Sequence, residues 1–171
     1  ADRFEATELR SGIFLSQSGG GFQFSPLPRS AQVAPAQGMV ALDMNRDGHL
    51  DLRMVHNSFA AIPVVGRFDG GLGDVLLGDG SGDFRSAFVR LKGAPGNPQA
   101  VGAKVTVTTV AGTSLVGEVR AGEGYMSQSS PSVYFGLPAD ARPVSISVRW
   151  PDGVTTEHSV PTGETSISLS R

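Results

Sequence analysis

Asp43-Met44-Asn45-Arg46-Asp47-Gly48-His49-Leu50-Asp51 is the stretch on which the reading of this chain turns. Oxygen-bearing side chains stand at alternate positions, 43, 45, 47 and 51, with a glycine at 48 where the loop must bend. A short loop of this kind can wrap a hard cation such as Ca²⁺, which takes several oxygens at about 2.3–2.6 Å. The flanks, Met39 to Leu42 and Leu50 to Val55, read as strands. The loop is therefore expected to clip two strands together rather than to run a reaction. The competing reading is a solvated acidic turn without metal, because Asp, Asn and Gly favour turns in any case. An EF-hand is excluded: Met54 stands at the twelfth position, where a bidentate glutamate belongs.

Working outward, strand signals dominate. Lys104 to Val110 is rich in β-branched residues, while Val144 to Trp150 and Thr165 to Ser170 alternate apolar with polar at period two. Arg3 to Arg10 is the best helical stretch, and it is short and uncapped. Phe14 to Phe22 and Leu76 to Phe84 form an internal repeat 62 residues apart, each reading as strand, glycine-rich turn, then a strand opened by phenylalanine. A strand-containing repeat of that length points to propeller blades. Gly93 to Pro98 packs two glycines and two prolines into six residues, which breaks any regular element and sets an expected boundary. The segment from Arg53 to Val75 reads as an insertion loop, of the sort that carries contacts.

Composition narrows the function classes. The 171 residues include 23 glycines and 11 prolines yet remain 39% apolar, which suits an all-β protein rich in turns. Net charge is −2, so no basic field exists to hold nucleic acid. Absence of cysteine removes disulfides, thiolate metal sites and cysteine nucleophiles. No stretch of the sequence reaches the roughly 20 apolar residues of a membrane span. His49, His56 and His158 fall into no serine–histidine–acid pattern, and no Gly-x-Ser-x-Gly elbow is present. The glycine runs at 19–21 and 78–82 lack the lysine and following helix of a phosphate loop. Tyr125 and Met126 are expected to plug one end of a sandwich, and Trp150, ahead of Pro151-Asp152-Gly153, to close it and set a hairpin to Val154–His158.

Two family resemblances follow from these residues. Asp43 to Leu52 and the Gly78 to Phe84 turn resemble the FG-GAP/VCBS repeats of surface-protein propellers. That resemblance implies Ca²⁺ held by side chains of Asp43, Asn45, Asp47 and Asp51 and by the backbone carbonyl of His49. The second half is similar to the ASPIC/UnbV domain through Asn97, Val101 to Val105, Gly122 to Gln128, Tyr134 to Leu137 and Trp150 to Gly153. The order and spacing of these five blocks carry the resemblance.

The expectation is thus an all-β chain. Residues 1–92 form a partial propeller-like sheet with a calcium loop, 93–98 a linker, and 99–171 a small antiparallel β-sandwich. About one and a half blades are visible, fewer than the ~4–8 that close a propeller, so a protein partner or a second copy is expected to complete the sheet. The expected function is a non-catalytic, calcium-stabilised binding or assembly module of an extracellular or periplasmic complex. The calcium loop favours secretion, the cell surface or the periplasm, where free calcium is high. Alternatives are an accessory or catalytic component of a secreted or biosynthetic enzyme, and a carbohydrate-binding adhesion module, the latter poorly supplied by 7% aromatics.

Overall fold

The computed structural model describes residues 3–17, 19–57 and 70–171, so most of the expected insertion loop lies outside the described residues. The described chain is all-β, as the strand patterns require, with a single short helical element: a 3-10 turn at Arg29–Gln32 that no sequence pattern announced. The region 3–10 is not helical, in keeping with its missing cap. Contacts divide the chain into two compact units, one of 1–37 with 54–74 and one of 38–53 with 75–171.

The first unit opens with a hairpin of β1 (Gly12–Ser16) and β2 (Phe22–Pro26), paired antiparallel with Phe14 opposite Phe24. Their rings sit 5.3 Å apart between centroids. The Gln17–Gly21 turn closes through Gly20 N to Gln17 O at 2.9 Å and Gln17 N to Gly21 O at 3.1 Å. Buried at the heart of this unit, His56 places Nδ1 2.9 Å from the Ala34 carbonyl and Nε2 2.9 Å from the Asp74 carboxylate.

The strands β3 (Ala36–Leu42), β4 (Asp51–His56) and β5 (Asp74–Leu76) form one sheet in the order β3-β4-β5. The Asp43–Leu50 loop therefore joins two hydrogen-bonded neighbours, as its flanks implied.

The second unit holds a β-sandwich. One sheet has the order β11-β10-β7-β8, from β7 (Lys104–Thr109), β8 (Ser114–Glu118), β10 (Pro143–Arg149) and β11 (Thr155–Ser159); its pairs are antiparallel. The other has the order β12-β6-β9, from β6 (Phe84–Lys92), β9 (Ser132–Pro138) and β12 (Ser166–Ser170). Here β9 is antiparallel to β6, whereas β12 is parallel to it. Alternate residues build the core between the sheets: Ala87, Val89 and Leu91 of β6, Val133, Phe135 and Leu137 of β9, Val105 and Val107 of β7, and Ile146 and Val148 of β10. Trp150 closes the core at 2% exposure, its Nε1 donating to Thr156 Oγ1 at 2.9 Å.

Two expectations meet a different arrangement. The Gly93–Pro98 segment joins β6 to β7, and residues on both sides of it enter the same core, so 84–92 packs with the sandwich. Asn97 fixes this connection by accepting from Val101 N at 3.0 Å and donating to Val101 O at 2.8 Å. The second copy of the internal repeat is not a hairpin either: β5 pairs in the β3-β4-β5 sheet, while β6 pairs with β9 and β12. The apolar face of β6 gains more by burial against β7 and β10 than a local hairpin would provide.

Gly117 on β8 lies tightly against β9. A Cβ there would collide with Val133 Cγ1 and press on the Phe135 ring at 3.2 Å. Gly117→Ala is therefore expected to destabilise the protein by about 1–3 kcal/mol through overpacking. Urea denaturation checks this, and an unchanged midpoint would show that β8 shifts freely.

Candidate metal centre

The 43–51 loop belongs to the same compact unit as the sandwich, and its geometry follows from its carboxylates. Arg46 and Gly48 occupy left-handed backbone positions, φ 63° and 88°, which turn successive N–H groups inward. Asp43 Oδ1 and Asn45 Oδ1 both accept from Asp47 N at 3.1 Å, so the two side-chain oxygens are drawn together over the Asp47 N–H. Asp43 Oδ2 accepts from Gly48 N at 3.0 Å and from the Ser86 hydroxyl at 2.9 Å. Asp47 accepts from His49 N at 2.8 Å and from the Asn45 amide at 2.7 Å. Those bonds hold the Asp47 carboxyl below the usual carboxylate range, the His49 N–H contributing most. The sign follows: a depressed carboxyl supports the fold above its unfolded value near ~4, and that support fades as pH falls through the folded value.

Asp51 takes a different position. It is 2% exposed, with Oδ2 accepting from Met44 N at 2.7 Å and Oδ1 from Gly78 N at 2.9 Å. One buried carboxylate thus ties the start of the loop, its end and the segment after β5 together. The His49 ring faces Arg85, with Arg85 Nη1 3.0 Å from Nε2, so the imidazole is turned to the guanidinium.

The structure brings Asp43, Asn45 and Asp47 into one hydrogen-bonded set and links Asp51 to its edge. Among the described residues, no three His, Cys, Asp or Glu side chains converge as a ready-made metal cage. The donor chemistry nonetheless suits a hard cation: the side-chain donors are carboxylate and amide oxygens, and Asp43 Oδ1 and Asn45 Oδ1 each accept one N–H and retain a second lone pair.

Sequence reasoning missed Ser86. It is 6% exposed, bonds Asp43 through its hydroxyl, and donates its N–H to Gly48 O at 2.6 Å. Lying 43 residues from Asp43, it carries no local signal of that contact. Tyr125 and Met126 are 63% and 71% exposed, so they do not plug the sandwich. The reason is local: Gly122 N to Gln128 Oε1 at 2.7 Å and Ser127 Oγ to Glu123 O at 2.7 Å close the 122–128 loop on itself and turn both side chains out.

On the outer face of the β12-β6-β9 sheet, beside the loop, lies a cleft of about 670 Å³. Asp43, Arg46, Phe88, Arg90, Tyr134 and Ser168 are among the residues that line it. Burial pushes the Tyr134 phenol up, Arg90 opposing and Asp43 adding to the shift, so its hydroxyl stays a donor.

Residues 93–171 match the family described as ASPIC and UnbV. The chain is also similar to cartilage acidic protein 1 of Homo sapiens, 31% identical over 133 residues, or 77% of this chain. The matched part spans 18% of that relative's length. Among the described residues no helix is long and apolar enough to cross a membrane.

Proposed function

We propose that this chain is a non-catalytic binding or assembly module whose 43–51 loop takes Ca²⁺ and uses it to hold β3, β4 and the sandwich in register. The gathering of Asp43, Asn45 and Asp47 side-chain oxygens within one short hydrogen-bonded loop carries this reading. Asp43, Asn45 and Asp47 would hold the ion, with the His49 carbonyl and a free lone pair of Asp51 completing the set. The ion supplies charge neutralisation, since three carboxylates in nine residues repel one another without a cation.

FG-GAP/VCBS likeness of the loop, together with the ASPIC and UnbV match that follows it, supports a module of a larger exported assembly. A calcium loop of this charge suits a compartment rich in free calcium, outside the cytosol. Exposed aromatic side chains support a protein partner or a second copy. Phe14 and Phe22 of the β1–β2 hairpin are 68% and 73% exposed, and a two-stranded hairpin is only marginally stable alone.

Thermal melting tests the reading. At calcium about 100-fold above its dissociation constant, binding to the folded state alone adds about 2.7 kcal/mol. For a chain of this size that is a rise of roughly 5–10 °C in Tm, reversed by chelator. Asp47→Ala is expected to abolish most of the rise while leaving the metal-free Tm nearly unchanged, because Asp47 is exposed. An equal calcium response in the variant, or no rise in the wild type at millimolar calcium, contradicts the proposal.

A further inference from the structure

The cleft on the outer face of the β12-β6-β9 sheet has a chemistry that the calcium loop does not use. Arg46 reaches it from the loop and Arg90 from β6. Among the described residues neither guanidinium has a carboxylate within ion-pair distance. Arg90 lies over the Phe88 ring, 5.5 Å from its centroid. The ring face attracts the cation, and a guanidinium carries a planar fork of N–H donors that suits an oxyanion. Phe88 in turn packs on Tyr134, with centroids 5.2 Å apart and planes 31° from parallel. Ser166 and Ser168 of β12 stand two residues apart and line the same cleft, each hydroxyl both donor and acceptor.

The cleft continues into a second groove of about 410 Å³ that shares Arg90 and Ser168 and adds Lys92. Arg90 and Lys92 are two apart on β6 and both exposed, so cations line a path along the strand. We propose that this groove binds an acidic oligosaccharide, its carboxylate or sulfate groups held by Arg46, Arg90 and Lys92 and its hydroxyls by Ser166, Ser168 and Tyr134.

Three observations favour that occupant. The volume falls within the roughly 300–1,000 Å³ of small-ligand sites, and the open run past Lys92 suits a chain longer than one sugar. The Arg90–Lys92 path runs along β6, the central strand, which is hydrogen-bonded on both sides by β12 and β9, so an extended acidic peptide lying on that path could not add to β6 as a strand. A nucleic-acid strand, with a phosphate at every nucleotide, would call for more cations than the Arg46, Arg90 and Lys92 that line this path. The proposal rests on the binding-module reading but needs no calcium for the anion contacts.

Fluorescence anisotropy tests it with labelled hexasaccharides: one carrying uronate, one sulfated, and one neutral. Saturable binding of the uronate or the sulfated probe, with none of the neutral one, is expected, and the preferred probe identifies the oxyanion. Arg90→Gln and Arg46→Gln are each expected to weaken it about 10-fold or more, the scale of one charged contact. Lys104→Gln on β7, in the other sheet, should leave it unchanged. Melting curves of each variant confirm that it folds. No saturable binding of either acidic probe, equal weakening by Lys104→Gln, or tighter binding of oligo-deoxythymidylate or poly-glutamate overturns the proposal. Such a failure with the calcium-dependent rise in Tm intact removes the saccharide alone; loss of that rise with binding retained removes the calcium reading alone.

Discussion

Trp150→Ala is expected to cost about 3–5 kcal/mol, the usual range for truncating a buried aromatic. For a chain of this length that corresponds to a fall of roughly 10–15 °C in Tm. Trp150 combines three roles. Its ring is 2% exposed and belongs to the core between the sheets. Its indole N–H donates to Thr156 Oγ1 at 2.9 Å, linking the end of β10 to β11. Its backbone N–H donates to Val154 O at 2.8 Å, and its carbonyl accepts from Gly153 N at 2.9 Å, which closes the Pro151–Gly153 turn. Only the first two are lost on truncation. Trp150→Phe, which keeps most of the ring volume and loses the hydrogen bond, is expected to cost less than half as much. Urea denaturation of both variants checks this, and a loss below about 1 kcal/mol in the alanine variant would mean that the site collapses around the cavity.

Asp51→Ala is the second large effect, and it measures what the buried carboxylate does for the fold without any metal. Removing a buried acceptor leaves Met44 N and Gly78 N without partners, and hydrogen bonds to a charged group are worth about 1.5–3 kcal/mol each. A total of about 3–5 kcal/mol is expected without any calcium present. Asp51→Asn retains an acceptor for one N–H but turns an amide N–H toward the other, so about half of that loss is expected. Asp47→Ala, on the exposed side of the loop, should be nearly silent in metal-free buffer. If Asp51→Ala proved equally silent, the tie between loop ends and the segment after β5 would not matter to the fold.

Much of the sandwich was legible because its strands are half-buried and alternate. Val105 and Val107, Ile146 and Val148, and Ile167 and Leu169 stand at period two and all face the core or its margin. The Pro151–Gly153 turn was legible from its residue types, as was the β1–β2 hairpin from its glycines. What alternation does not encode is the partner of a strand. β6 was read as the return strand of a local repeat, yet its inward face completes the sandwich and it takes β12 as a parallel neighbour from the far end of the sequence. The same limit applies to the site. The oxygen donors of the loop stand out within nine residues, while Ser86, the Gly78 N–H and the cleft lined by Arg46 and Arg90 depend on contacts between segments far apart in sequence. The division of labour among the aspartates was also hidden. Asp43, Asp47 and Asp51 look equivalent as a spacing, and only burial distinguishes Asp51.

Calorimetric titration of Ca²⁺ into metal-free protein at neutral pH is the most direct test of the loop as a metal clamp. A single saturable site with oxygen-ligand affinity, filled at or below millimolar calcium and lost in Asp47→Ala, is the predicted result. Absence of binding heat through that range in the wild type, or an unchanged isotherm in Asp47→Ala, would contradict it.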